Sequence, residues 1–245
     1  MSTSEMIPML KEFLDREYRK KDRSGIYAVT SRSLAYNSNK IEGSTLTPDQ
    51  TAALFDLGCL PQSEDVYRAK DVEEMQGHFM MFNYMLKTLD EPLTEMLIKR
   101  FHYELKTGVF EDRANGYNIG EYKSRPNIAG TMQTSLPADV HADMEKLLSW
   151  YEMQDKTLLC MAVFHAKYEK IHPFQDGNGR TGRLILFREC LKNDIIPPIV
   201  QDQNRMRYIE GIREYTDSKT VTKLYQLLTE EQSRYEKTVR YFLGM

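Results

Sequence analysis

The chain has little cysteine: Cys59, Cys160 and Cys190 are odd in number and show no C-x-x-C spacing. That argues against both a disulfide framework and a zinc site. It also has no excess of charge of one sign, with 33 Lys and Arg against 36 Asp and Glu and a formal net charge of −3. The short basic run Arg19-Lys20-Lys21-Asp22-Arg23 reads as a solvated helix end, so nucleic acid is not an indicated partner. No apolar run approaches a transmembrane span or a signal-peptide core, which predicts no membrane association and a cytoplasmic setting. Repeats, low-complexity tracts and Pro- or Gly-rich linkers are missing as well. At 245 residues a single domain with appended helices is the expectation. The fourteen methionines read as gap-filling residues and not as a metal tract.

What is present is concentrated between His172 and Arg183, HPFQDGNGRTGR. The preceding segment, Leu158 to Ile171, has helical apolar spacing at Leu158, Met161, Ala162, His165, Tyr168 and Ile171. Pro173 ends that helix and biases His172 away from helical dihedrals. Arg180 to Lys192 reads as helix again. The motif is therefore a helix–loop–helix whose loop faces the start of the second helix, where orphan N–H groups and the helix dipole favour an anion.

Each residue type has a use there. Gly177 and Gly179 let backbone amides approach a polyphosphate, and Asn178 offers a further donor. The planar guanidinium groups of Arg180 and Arg183, three residues apart, suit phosphate oxygens. Asp176 is an oxygen ligand for Mg²⁺. His172 is the natural general base near neutral pH. Taken singly, the histidine would be structural and the aspartate a helix cap; taken as one contiguous set they specify attack on a phosphoryl centre. The loose G-x-G-x-x-G from Gly177 to Gly182 is not a dinucleotide fingerprint, because a helix and not a strand precedes it. No Walker P-loop string occurs.

HPFQDGNGRTGR resembles the signature of the Fic family, H-P-F-x-[D/E]-G-N-G-R-x-x-R, with every specified position filled. The resemblance implies an all-α helical bundle with a small β-hairpin flap over the active site. It implies transfer of AMP from ATP, with Mg²⁺, to a hydroxyl of a target protein or of the enzyme itself, releasing pyrophosphate. By the same resemblance His172 deprotonates the hydroxyl and Asp176 holds Mg²⁺. Asn178 with the amides of Gly177 and Gly179 cradles the α- and β-phosphates, Arg180 supports that cradle, Arg183 binds the γ-phosphate, and Phe174 anchors the loop in the core. Phosphorylating relatives carry Lys in place of Gly179 and lack the last Arg; this chain has neither change.

Upstream, Ser38-Asn39-Lys40-Ile41-Glu42-Gly43 fits S-x-x-x-E-G on a short helix from Ser31 to Glu42, closed by Gly43. Thr47-Pro48 opens the next helix. Ser38 and Glu42 share one helix face. An arbitrary Glu here would be a surface cap; beside a full signature it resembles the family's inhibitory motif, whose Glu pairs with the last Arg of the signature, in cis. Gly120 to Pro137 holds two short β-like runs about Ala129-Gly130. It matches the family's flap, which pairs with the target main chain, with Lys123, Ile128 and Thr131 as candidates. Asn204 to Tyr215 resembles the segment closing over adenosine, with Tyr208 as the base contact. Further amphipathic helices are expected from Val72 to Leu89, Thr94 to Lys106, Pro137 to Tyr151 and Thr220 to Phe242.

The expected organisation is one Fic domain, 1–245: N-terminal helices with the inhibitory motif (1–60), a core with flap and signature loop (61–200), and C-terminal helices (201–245). A homodimer is left open. The rivals are removal of AMP by the same site, and a nucleotide-sensing module, against which the intact His172 counts.

Overall fold

The computed structural model describes residues 3–61, 66–130 and 132–245. In chain order the helices are α1 (Thr3–Lys20), α2 (Ile26–Ile41), α3 (Pro48–Leu57), α4 (Ala69–Lys87), α5 (Glu95–Lys106), α6 (Phe110–Ala114), α7 (Val140–Glu152), α8 (Leu158–Ile171), α9 (Asn178–Lys192), α10 (Arg205–Ser218) and α11 (Thr222–Leu243). Between α6 and α7 lies one antiparallel ladder, β1 (Ile128–Ala129) and β2 (Met132–Gln133). It pairs Ile128 with Gln133 and Ala129 with Met132. The all-α class with a small hairpin is what the sequence predicts.

Threonines start three of these helices. The Thr47 hydroxyl accepts from the Gln50 amide at 3.2 Å while the Gln50 side chain accepts from Thr47 N–H at 3.0 Å, with Pro48 as the first helical residue. Thr94 and Thr157 cap α5 and α8 by accepting from Leu97 and Cys160. Each such cap contributes roughly 0.5–2 kcal/mol. Some boundaries differ from expectation. α2 begins at Ile26 and not Ser31, because Ile26, Tyr27 and Ala28 are core residues that extend the buried face. α1 ends at the basic run read as a helix end, whereas the short α6 was not anticipated.

The axis of the molecule is α9. Leu184, Ile185, Leu186, Phe187 and Leu191 are buried, and α2, α4, α5 and α8 pack around them. Its arginines are buried too, so each needs a partner. Arg188, fully buried, pairs with Glu189 and donates to the carbonyls of Thr88, Leu89 and Glu91 just past α4. Arg180 and Arg183, nearer the start of α9, point to the site instead. No helix among the described residues is long and apolar enough to cross a membrane.

Candidate active site

The loop between α8 and α9 is shaped by its own side chains. His172 caps α8 in the left-handed region (φ 53°, ψ 62°), not the extended region that a following proline favours. Such a backbone costs on the order of 1–3 kcal/mol and needs surroundings that enforce it. They are present. The Phe174 ring is fully buried and stacks on His102 of α5, centroids 3.9 Å apart and 2° from parallel. The Asn178 carboxamide bonds Phe174 N–H and C=O, both at 2.7 Å. Gly177 (φ 80°) then admits the chain to α9, and a Cβ there would press on Leu105, 3.2 Å away. Phe174 is the anchor the sequence suggests. Asn178, expected as a phosphate donor, uses its carbonyl and one N–H on the loop, leaving at most one N–H for a ligand.

His172 opens onto a cavity of about 440 Å³ lined also by Gly177, Gly179, Arg183 and the hairpin. Its Nδ1 lies 3.3 Å from the Glu169 carbonyl and 3.8 Å from the Glu169 carboxylate. Both are acceptors, so the proton belongs on Nδ1 and the lone pair on Nε2. Burial lowers the imidazole from 6.5 to about 4, against the pull of the Glu169 carbonyl. It is therefore neutral, and a base, at pH 7. Glu169, three residues before His172, was missed in the sequence although that spacing shares a helix face. Burial raises its carboxyl to about 7, with Glu42 adding to the rise and Arg183 opposing it.

Arg183, 4% exposed on its side chain, is held at several points. Its Nε donates to Ser38 Oγ and one terminal nitrogen to the Ser38 carbonyl, both at 2.9 Å. The same terminal nitrogen donates to Glu42 Oε1 at 2.6 Å. Ser38 and Glu42 thus reach the signature arginine together from the end of α2, where Gly43 (φ 91°) turns the chain away. Burial favours a neutral Glu42, but Arg183 and Arg180 outweigh it and hold the carboxyl below its usual range. A Cβ on Gly179 would lie 2.2 Å from Glu42 Oε1. The carboxylate oxygen therefore rests directly above the amide-rich start of α9.

Tyr208, expected as a base contact, is 4% exposed. Its hydroxyl meets His165 Nε2 at 2.7 Å and Glu169 at 3.3 Å, and its ring lies 5.4 Å from the Arg183 guanidinium carbon. Tyr208 supports Arg183 and at the same time lines the cavity. Lys123, expected on the target-binding flap, is also buried. Its ammonium donates to Asn127 Oδ1 at 2.7 Å, Thr134 Oγ1 at 2.9 Å and the Ile171 carbonyl at 3.4 Å. It fastens the hairpin base to the end of α8. Ile128 does project, 69% exposed on the cavity rim. Thr131 lies outside the described residues.

Asp176 was expected as an oxygen ligand for Mg²⁺. Instead its Oδ2 accepts from Lys106 at 2.8 Å and lies 3.5 Å from Lys70, and its Oδ1 accepts from Gly177 N–H and lies 3.4 Å from Arg180. Burial opposes ionisation here, yet Arg180 and Lys106 hold the carboxyl below its usual range. Three cations on one carboxylate do not fit a free divalent-ion site, which wants several oxygens at about 2.0–2.1 Å. Arg180 also pairs with Glu74, and the same terminal nitrogen donates to Asn39 Oδ1 at 3.3 Å. It braces α9 against α4 and α2. His102, Lys106, Glu74 and Lys70 had no signal in the sequence, since their partners lie far along the chain.

Residues 92–189, which contain the hairpin, α8 and the loop, match the model of the Fic/DOC family. Over that segment the chain is similar to the Fic/DOC family. The "Protein adenylyltransferase Fic" of Nematostella vectensis is 25% identical over 221 residues, covering 83% of this chain and 50% of its own length. The "Probable protein adenylyltransferase" of Aquifex aeolicus is 26% identical over 241 residues, covering 96% and 67%. The chain thus spans half to two thirds of these relatives, and 35% of the Culex quinquefasciatus one. Among solved structures, a Fic domain containing signaling protein from Bacteroides thetaiotaomicron aligns with a TM-score of 0.70, 22% identity and coverage of 99% and 94%. Fic-1 from C. elegans gives 0.70, 18%, 99% and 72%. These two share the fold.

Proposed function

We propose that this chain transfers AMP from ATP to a side-chain hydroxyl of a protein, itself included, and that Glu42 restrains it. The observation that carries the reading is a single cavity holding a neutral histidine, the amide-rich start of a helix and a buried arginine. The names of the Nematostella and Aquifex relatives support the same activity. His172 Nε2 takes the hydroxyl proton, and the freed oxygen attacks the α-phosphorus. The bond from that phosphorus to the bridging oxygen breaks, and pyrophosphate leaves. Backbone amides at Gly177 to Gly179 take up the developing charge, a contribution worth about 10²–10³-fold per donor in comparable sites. Arg183 holds the terminal phosphate. No step is assigned to a metal at Asp176.

In this reading Glu42 occupies the charge position that the γ-phosphate needs, so the resting chain is inhibited in cis. Removal of AMP is the second reading. In that reading the Glu42 side chain, 38% exposed on the cavity wall, orients a water there. ATP labelled on the α- or the γ-phosphate separates the possibilities. AMP transfer puts α-label on protein and leaves γ-label in pyrophosphate. Protein-bound γ-label means phosphorylation and rejects the proposal; with the restraint lifted in Glu42→Gly, neither label with ATP bound rejects AMP transfer and leaves a sensor or removal of AMP.

A further inference from the structure

At the end of α5, Lys106 points into a ring of carboxylates. Its ammonium lies 2.5 Å from Glu74, 2.5 Å from Asp112 and 2.8 Å from Asp176, and its side chain is 1% exposed. One oxygen from each of these acids lies within 4.8 Å of the others. That spacing suits a shared cation, and the lysine already supplies one. The charges close without any ion. Three negative groups (Glu74, Asp112, Asp176) face three positive ones: Lys106, Arg180 on Glu74 and Asp176, and Lys70 at 3.4 Å from Asp112 and 3.5 Å from Asp176. Glu111, the remaining partner of Lys70, is 56% exposed and screened by water. A divalent ion entering this ring would face a local surplus of two positive charges or have to expel a buried ammonium.

We propose that Lys106 is the resident cation of the Asp176 site: the free protein takes up no divalent ion there, and metal arrives only as its nucleotide complex. Only the last clause rests on the AMP-transfer reading. An ATP–metal complex is net negative, so it does not add positive charge to a neutral cluster. Lys106 also has a partner in holding the loop. One turn earlier on α5, His102 Nδ1 accepts from Gly120 N–H at 2.9 Å, which leaves the ring proton on Nε2 to donate to the Asp176 carbonyl at 3.0 Å. Side chain and main chain of Asp176 are thereby fixed from one helix before any ligand binds. That is the preorganisation a phosphoryl-transfer loop requires.

Electron paramagnetic resonance of Mn²⁺ with the full chain and no nucleotide tests this. Wild type and Asp176→Asn should bind Mn²⁺ equally weakly, with no site filled at a few millimolar. Lys106→Met keeps the apolar stem and removes the charge, leaving three carboxylates against two cations. It should gain a site about tenfold tighter or more, and Asp112→Asn in that background should abolish it. Wild-type uptake of Mn²⁺ at submillimolar concentration that is lost in Asp176→Asn would overturn the proposal. A folded Lys106→Met that gains nothing would do the same. If Lys106→Met does not fold, the wild-type and Asp176→Asn pair decides alone. Failure of wild type to bind the Mn²⁺ complex of ATP would reject the nucleotide reading and leave the lysine assignment standing.

Discussion

Replacing Glu42 by glycine removes one carboxylate from the arginine that the proposed γ-phosphate contact needs. The contact is short, 2.6 Å between Oε1 and the guanidinium nitrogen. Charge centres about 4 Å apart attract by roughly 4 kcal/mol at an effective dielectric near 20. With 38% of the Glu42 side chain in solvent, screening and desolvation remove much of that, and about 1–2 kcal/mol survives. A bias of that size corresponds to about a five- to thirtyfold change in an equilibrium. Calorimetric titration with ATP should therefore show tighter binding by Glu42→Gly by that factor, and the gain should vanish when Arg183→Ala is added. Glu42→Gln should gain less, because its bulk still overhangs Gly179. A dissociation constant within twofold of wild type in folded Glu42→Gly would refute the reasoning.

Two further outcomes follow from the same geometry. Arg183→Ala should be inactive in AMP transfer and not released, since it loses the proposed phosphate contact together with the Glu42 partner; an exposed arginine would cost below about 1 kcal/mol, so turnover by the Glu42→Gly, Arg183→Ala double variant near that of Glu42→Gly would reject its role. The His172 ring should stay neutral down to about pH 5, because burial sets its pKa near 4 where a free imidazole titrates near 6.5. Nitrogen chemical shifts through that range check it, and they should report the proton on Nδ1.

How much of this was legible in the sequence depended on distance along the chain. HPFQDGNGRTGR is contiguous, so the loop and the two flanking helices could be read directly, down to the buried Phe174. The pairing of Glu42 with Arg183 spans 141 positions, and it became readable only because S-x-x-x-E-G resembles a family pattern. Lys106 and Asp176 are 70 apart with no shared pattern, so the lysine in its carboxylate ring was invisible. Lys123 and Tyr208 were found by position, but their buried hydrogen bonds were not legible, since these depend on elements that periodicity alone does not bring together. Glu169 was within reach: a carboxylate three residues before the histidine on the same helix.

The central claim is one cavity in which His172 is the base and Glu42 the restraint. It is tested most directly by protein labelling from ATP carrying label on the α-phosphate, comparing Glu42→Gly with the Glu42→Gly, His172→Ala double variant. The account predicts strong labelling in the first and a loss of about 10²–10⁴-fold in the second, the usual contribution of a general base, with ATP binding retained in both. Equal labelling by the two variants would contradict it.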